Sequence, residues 1–246
     1  MSERRKDPRH ATHGALEETA ADLVEVIDVS VAQLWETIET LERLQPRNLK
    51  RFRVSIFGSA RIEATHPLYG EAQDLAQRLA EAGCDIVTGG GRGLMQAVDL
   101  GASRGAVRHP ADGDLPVRLV VDDDAAPFVE RVYRHRTFFS RLHHFVRLSS
   151  AFVVLPGGIG STLEAMMVWQ LLQAKHLPPT PFLLYGSHWR GLLRWIEDEA
   201  LAQRYLNEED VLLPVQVDTV DEAVEIILQT QRDFLARNAD RPEEQA

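Results

Sequence analysis

The residues best suited to chemistry lie in one run, Leu155 to Gln170, which reads LPGGIGSTLEAMMVWQ. An apolar segment, Ala151-Phe152-Val153-Val154-Leu155, ends at Pro156. Gly157-Gly158-Ile159-Gly160 follow, then the hydroxyls of Ser161 and Thr162, then Glu164 in what reads as the first turn of an apolar helix. A buried strand feeding a glycine turn at a helix N-terminus suits an anion, because unpaired amides point outward and the helix dipole adds partial positive charge. A carboxylate beside such a site is awkward. Structurally, Glu164 favours the dipole or pairs with an arginine. Chemically, it stabilises an oxocarbenium-like cation or activates water at a sugar carbon.

The surroundings of this run are unusually positive. The chain holds 37 acidic residues and a formal charge of −10, yet no Asp or Glu occurs between Glu130 and Glu164. The same window holds Arg131, Arg134, Arg136, Arg141 and Arg147, with His135, His143 and His144. The planar fork of arginine suits phosphate. Arg131 and Arg147 read as a solvated helix face, whereas Arg141 lies just upstream of the strand and within reach of its end. Asp122-Asp123-Asp124 reads as helix capping before it reads as a metal site. The adjacent His143 and His144 point to different helix faces and do not make the i, i+4 pair of a metal site.

The elements that must hold these residues alternate. Strands are expected at Arg53–Phe57, Asp85–Thr88, Val117–Val121, Ala151–Leu155, Pro181–Tyr185 and Val211–Val217. Helices are expected at Pro67–Ala82, Leu94–Ser103, about 126–148, Ser161–Ala174, His188–Leu201 and Val220–Ala236. Such alternation specifies an α/β fold, a doubly wound parallel sheet with helices on both faces. The strands are short and apolar, as strands covered on both faces should be. Ligands in such sheets bind where strands end, near the reversal of strand order. Here three strands end in glycine-containing loops, Gly58-Ser59, Gly89–Gly93 and Gly157–Gly160. None is the GxGxxG dinucleotide fingerprint or a GxxxxGK[ST] phosphate loop.

Outside this core, residues 1–14 read as a disordered tail and 15–48 as an N-terminal helical extension, with Leu16, Leu23, Ile27, Leu34 and Leu41 at helical steps. The domain proper is expected over 49–237 and a polar tail over 238–246. The acidic balance disfavours a general nucleic-acid binder. Cys84, alone among the 246 residues, offers neither a disulfide nor a cysteine metal site. No apolar run is long enough to span a membrane, and the N-terminus lacks an apolar signal core, so a soluble cytoplasmic protein is expected.

At these residues a family becomes visible. PGGIGSTLE resembles the PGGxGTxxE motif of the Lonely Guy (LOG) family, the cytokinin-activating phosphoribohydrolases and their bacterial relatives. TGGGRGLMQAVDLGA resembles the family's GGGxGxMEAAxxGA segment, and FGSAR its first strand and turn. The resemblance implies a Rossmann-like fold in a homodimer or higher oligomer, and hydrolysis of the N-glycosidic bond of a nucleoside 5′-monophosphate. It implies no metal and no redox cofactor. Glu164 falls on the motif glutamate and Arg141 on the arginine of the family's RKxxM segment, its usual catalytic pair. Ser161 takes the threonine position. The phosphate is expected on Gly90, Gly91, Arg92 and Gly93 and on Gly157, Gly158, Gly160, Ser161 and Thr162, with Gly58 and Ser59 beside them. Leu142, Phe145 and Gln96 replace the family's lysine, methionine and glutamate, and Arg92 stands where many relatives have proline. A nucleotide- or cofactor-carrying protein on the same fold is the alternative. Relatives have been labelled lysine decarboxylases, but a pyridoxal enzyme needs a Schiff-base lysine. Here Lys6 and Lys50 precede the first strand and Lys175 ends a helix.

Overall fold

The structure, a computed structural model, describes residues 51–106, 118–120, 131–132, 142 and 145–239, with side chains over 51–106, 142 and 145–237. The expected disordered tail and N-terminal helix lie outside the described residues, as do Asp122–Asp124, Arg141, His143, His144 and residues 240–246, whereas residues 238–239 of the expected polar tail are helical.

Seven strands form one sheet in the order β4-β3-β2-β1-β5-β6-β7. They are β1 (Arg53–Phe57), β2 (Asp85–Thr88), β3 (Arg118–Val120), β4 (Arg131–Val132), β5 (Ala151–Val154), β6 (Phe182–Tyr185) and β7 (Val215–Val217). Every pairing is parallel. The central register sets Val54 opposite both Ile86 of β2 and Ala151 of β5. The chain runs outward from β1 to β4, then returns to place β5 on the other side of β1. The strand order therefore reverses between β1 and β5.

The described helices are α1 (Pro67–Glu81), α2 (Leu94–Ala106), α3 (Ile159–Gln173), α4 (Arg190–Trp195), α5 (Glu208–Val211) and α6 (Val220–Ala239). Side-chain alternation along the strands splits the core into two layers. Val54, Ile56, Ile86, Ala151, Val153 and Leu183 pack with α1, α2 and α6. Phe57, Val87, Phe152, Val154, Phe182 and Leu184 pack with α3 and the residues around Trp189 and Ile196. The helix after β1 thus covers one face and the helix after β5 the other, which opens a crevice where the two strands end.

Four expectations are corrected. The stretch taken as one helix over 126–148 contains β4, whose Arg131 and Val132 pair with Leu119 and Val120, while its described residues 142 and 145–148 are helical as expected. Two residues carry no period, and the open edge of β3 supplies the partner. The last strand begins at Val215 rather than Val211. Asn207 and Asp210 form a reciprocal capping box that winds Glu208–Val211 into a helical turn. The helix expected over 188–201 is a 3₁₀ turn at Ser187–Trp189, then α4, then a π-helical segment at Ile196–Leu201. Finally, α3 starts two residues earlier than expected, with Gly158 at the N-cap. This places Glu164 in the second turn, and the first turn carries no acid.

Candidate active site

The site is assembled at the carboxyl ends of β1, β2, β5 and β6, and Ser59 joins its loops. The Ser59 amide donates to the Pro156 carbonyl at 3.1 Å, which stitches the β1 turn to the β5 turn. The Leu94 amide donates to the Ser59 carbonyl at 2.9 Å, which ties the start of α2 to the same residue. The Ser59 hydroxyl accepts from the Arg61 amide at 3.1 Å and shapes the turn. The three glycine loops are therefore brought together, as their positions in the sequence suggested.

A cleft of about 730 Å³ is lined by Gly58–Ile62, Pro156–Ser161, Glu164 and His188. The loop Gly90–Gly93 leads into α2, whose start packs against the β1 turn. A Cβ on Gly93, whose φ is +68°, would stand 2.5 Å from the Ser59 carbonyl oxygen. Gly93 is thus a glycine because backbone passes against it. The loop is tied inward as well. The Gly90 amide donates to the Thr88 hydroxyl at 3.2 Å, and that hydroxyl donates to the buried Asp99 carboxylate at 3.2 Å. Arg92 is exposed.

The β5 turn presents the chemistry. No side chain caps the N-terminus of α3, so the amides of its first turn have no intrahelical acceptor. Ser161 sits in that turn and is only 6% exposed. No hydrogen bond among the described residues engages its hydroxyl, which lines the cleft. Gly157 makes room for it, since a Cβ there would lie 2.2 Å from the Ser161 Oγ. The Thr162 hydroxyl is used differently, donating to the Gly158 carbonyl at 3.0 Å, and Thr162 is not in the cleft lining. Glu164 lies three residues beyond Ser161, one turn along the same helix face, and is 7% exposed. Outward-facing amides, a buried hydroxyl and a buried carboxylate one turn on can hold an oxyanion and set a negative group beside whatever the anion is attached to.

Arg141, the expected partner of Glu164, lies outside the described residues. Leu142 and Phe145 are core residues. Phe145 is fully buried and meets the Phe57 ring edge-on at 4.9 Å. Gln96 is exposed on α2 and Arg147 is exposed as expected. Sequence reasoning missed Arg61 and His188 as cleft residues. A signal existed for each, since both stand two or three residues past a glycine that ends a strand, on the ligand edge of the sheet. Lys175 lies at the opposite end of α3, roughly 20 Å from the cleft at 1.5 Å per residue. Among the described residues there is no cluster of His, Cys, Asp or Glu able to hold a metal and no helix long and apolar enough to cross a membrane.

Comparison with known proteins agrees with this architecture. Residues 95–227, more than half of the chain, match the model of the family described as "Possible lysine decarboxylase". The chain is 31% identical over 157 residues to the probable cytokinin riboside 5′-monophosphate phosphoribohydrolase LOGL3 of Oryza sativa subsp. japonica, covering 63% of this chain and 72% of the relative. It is 30% identical over 156 residues to the cytokinin riboside 5′-monophosphate phosphoribohydrolase LOG of the same plant, covering 62% of this chain and 63% of that relative, less than two thirds of its length. Among solved structures, the molybdenum cofactor carrier protein of Chlamydomonas reinhardtii shares the fold, with a TM-score of 0.54 at 18% identity over 73% of this chain and 98% of that one. The matched family span runs from α2 through the β5 turn and Glu164 into α6, and the chain belongs to that family, the LOG family of Rossmann-like proteins.

Proposed function

We propose that the protein hydrolyses the N-glycosidic bond of a nucleoside 5′-monophosphate, of the AMP or N6-modified AMP type, to free base and ribose 5-phosphate. The observation that carries this reading is the pairing, on one face of α3, of the buried Ser161 hydroxyl with the buried Glu164 one turn on, both in the crevice where strand order reverses. The 5′-phosphate occupies the first-turn amides and Ser161. The ribose then lies along the helix toward Glu164. As the C1′–N bond breaks, positive charge grows on the sugar, and a carboxylate held in a buried setting stabilises it or orients the attacking water. Water supplies oxygen to C1′ and a proton to the departing base. Arg141 binds and polarises the substrate in this scheme, a role taken from the family resemblance. The names of the curated relatives support the reaction class.

The test is release of free base from AMP, GMP, CMP, UMP and isopentenyl-AMP, followed by chromatography. Glu164→Ala is expected to lower release by ~10²- to 10⁴-fold, the range for losing one group that acts in the transition state, while the circular dichroism spectrum is retained. Undiminished release would sink the assignment. The second reading is a nucleotide or cofactor carrier, supported by the fold shared with a molybdenum cofactor carrier. Recovery of intact nucleotide from the wild-type protein, with no base formed, would favour it. The decarboxylase description finds less support, since the described lysine, Lys175, is exposed at the far end of α3. A homodimer belongs to the same proposal. Ile159, Leu163 and Met166 form an exposed apolar stripe at helical spacing on α3, suited to a second copy, and light scattering would show the mass. A cytoplasmic location is part of this reading.

A further inference from the structure

The β6 turn is constructed to hold one side chain at the cleft. The Gly186 amide donates to the Val217 carbonyl at 2.7 Å. Trp189 is 2% exposed, and its indole N–H donates at 3.0 Å to the carbonyl of Val154, the last residue of β5. The Arg190 guanidinium pairs with Asp218 beyond β7. Ser187–Trp189 is thus fastened to β5 and to the β7 end. Between those anchors His188 is left exposed at the cleft, its ring edge-on to Trp189 at 5.0 Å and 84°. No hydrogen bond among the described residues engages that ring. A neutral imidazole offers one donor and one acceptor, and its flat face stacks on aromatic rings.

Position decides what it meets. The β1, β5 and β6 ends are neighbours, each separated from the next by about 4.8 Å. The anion site occupies the β1–β5 crevice. Glu164 lies further along α3 by about 4.5 Å of helix rise. The helix α3 and the β6 turn pack into the same core layer, Ala165 and Val168 with Trp189 and Ile196. A ligand running from the anion site past Glu164 therefore approaches the β6 turn. Among the described lining residues, His188 is the one that the β6 turn contributes.

We propose that His188 is the leaving-group contact of this cleft: its imidazole meets the flat nitrogenous base of a nucleotide from the β6 side and selects which base is accepted. The inference rests on the phosphoribohydrolase reading for the orientation of the ligand. It is tested with the full chain and its His188→Ala and His188→Gln variants, using AMP and ribose 5-phosphate, which lacks the base. Loss of one such contact is expected to raise KM for AMP about three- to tenfold, with the effect falling on KM rather than kcat. The inhibition constant of ribose 5-phosphate should not move, and His188→Gln should recover part of the AMP affinity. Equal weakening of AMP and ribose 5-phosphate would overturn the proposal, because it would report damage to the phosphate end or to the turn. An unchanged KM for AMP, with or without a fall in kcat, would overturn it too. If the wild type releases no base, the same comparison is made with dissociation constants from equilibrium dialysis. Selective loss of AMP affinity then upholds the His188 contact while the hydrolase reading fails, and a wild type that binds neither compound overturns both.

Discussion

Gly157 and Ser161 are coupled by space. The Cβ of an alanine at position 157 would stand 2.2 Å from the Ser161 Oγ and 2.4 Å from its Cβ. Rotating the hydroxyl away relieves only the first of these. Gly157→Ala should therefore lower stability by about 1–3 kcal/mol, the usual cost of overpacking, and weaken phosphate binding as well. Adding Ser161→Gly removes both clashing atoms. The double variant should regain most of the stability and none of the ligand affinity, as read by urea midpoints and by ribose 5-phosphate binding. Recovery of both would mean that the Ser161 hydroxyl does not face the ligand. The resemblance put Ser161 at this position in the family motif. It could not say that Ser161 faces inward while the Thr162 hydroxyl turns back onto the Gly158 carbonyl, because that choice depends on where the N-cap falls.

The helices α1 and α2 pack with glycine against backbone. Gly101 and Gly105, one turn apart on α2, face Gln73 and Gln77, one turn apart on α1. A Cβ on Gly101 would come within 2.0 Å of the Gln73 carbonyl oxygen, and one on Gly105 within 2.4 Å of the Gln77 carbonyl oxygen. Alanine is the better helix former by about 1 kcal/mol, but a backbone obstacle cannot rotate away, so overpacking wins. Gly101→Ala is expected to destabilise by roughly 2 kcal/mol. Gly70, on α1, has open space around its Cβ direction, and Gly70→Ala should stabilise by about 0.5–1 kcal/mol. The two substitutions make the same chemical change with opposite signs, and a pair of denaturant titrations decides. If both stabilise, the contact between α1 and α2 is looser than its geometry states. Helical periodicity showed both helices in the sequence. It did not show that glycines, rather than a hydrophobic seam, set their separation.

Across the whole molecule, burial of neutral acids makes stability sensitive to alkali. Desolvation pushes the buried Cys84 thiol from its ordinary 9.0 up to about 12, with the Asp85 charge adding to the effect. The Tyr185 hydroxyl is raised above its ordinary 10.0, first by burial and then by its 2.7 Å hydrogen bond to the Glu71 carboxylate. In both cases the fold favours the protonated form. Below pH 9 the folded and unfolded chains both keep these protons, and this contribution to stability is complete. Above it the unfolded chain loses them first, so stability falls as pH rises from about 9 toward 12. Urea midpoints measured from pH 8 to 11 should decline, and Cys84→Ala should flatten the first part of the decline. A midpoint that stays level or rises over that range would contradict the burial of these groups.

The sequence by itself determined the composition of the layers and the place of the chemistry. Short apolar strands alternating with amphipathic helices admit little besides a parallel sheet covered on both faces, and a glycine turn after a buried strand marks its ligand edge. These are local properties, written in period and in residue type. The tertiary structure decided which residues share that edge. The β1 and β5 ends become neighbours only because the chain returns to the centre of the sheet after β4, and no local pattern records strand order. The same long-range pairing packs Gly93 against the β1 turn, and brings His188 to the cleft from β6. The two-residue β4 and the capped turn at Glu208–Val211 escaped the sequence for the opposite reason. They are too short to have a period, and they form because a strand edge and a capping carboxylate are waiting for them.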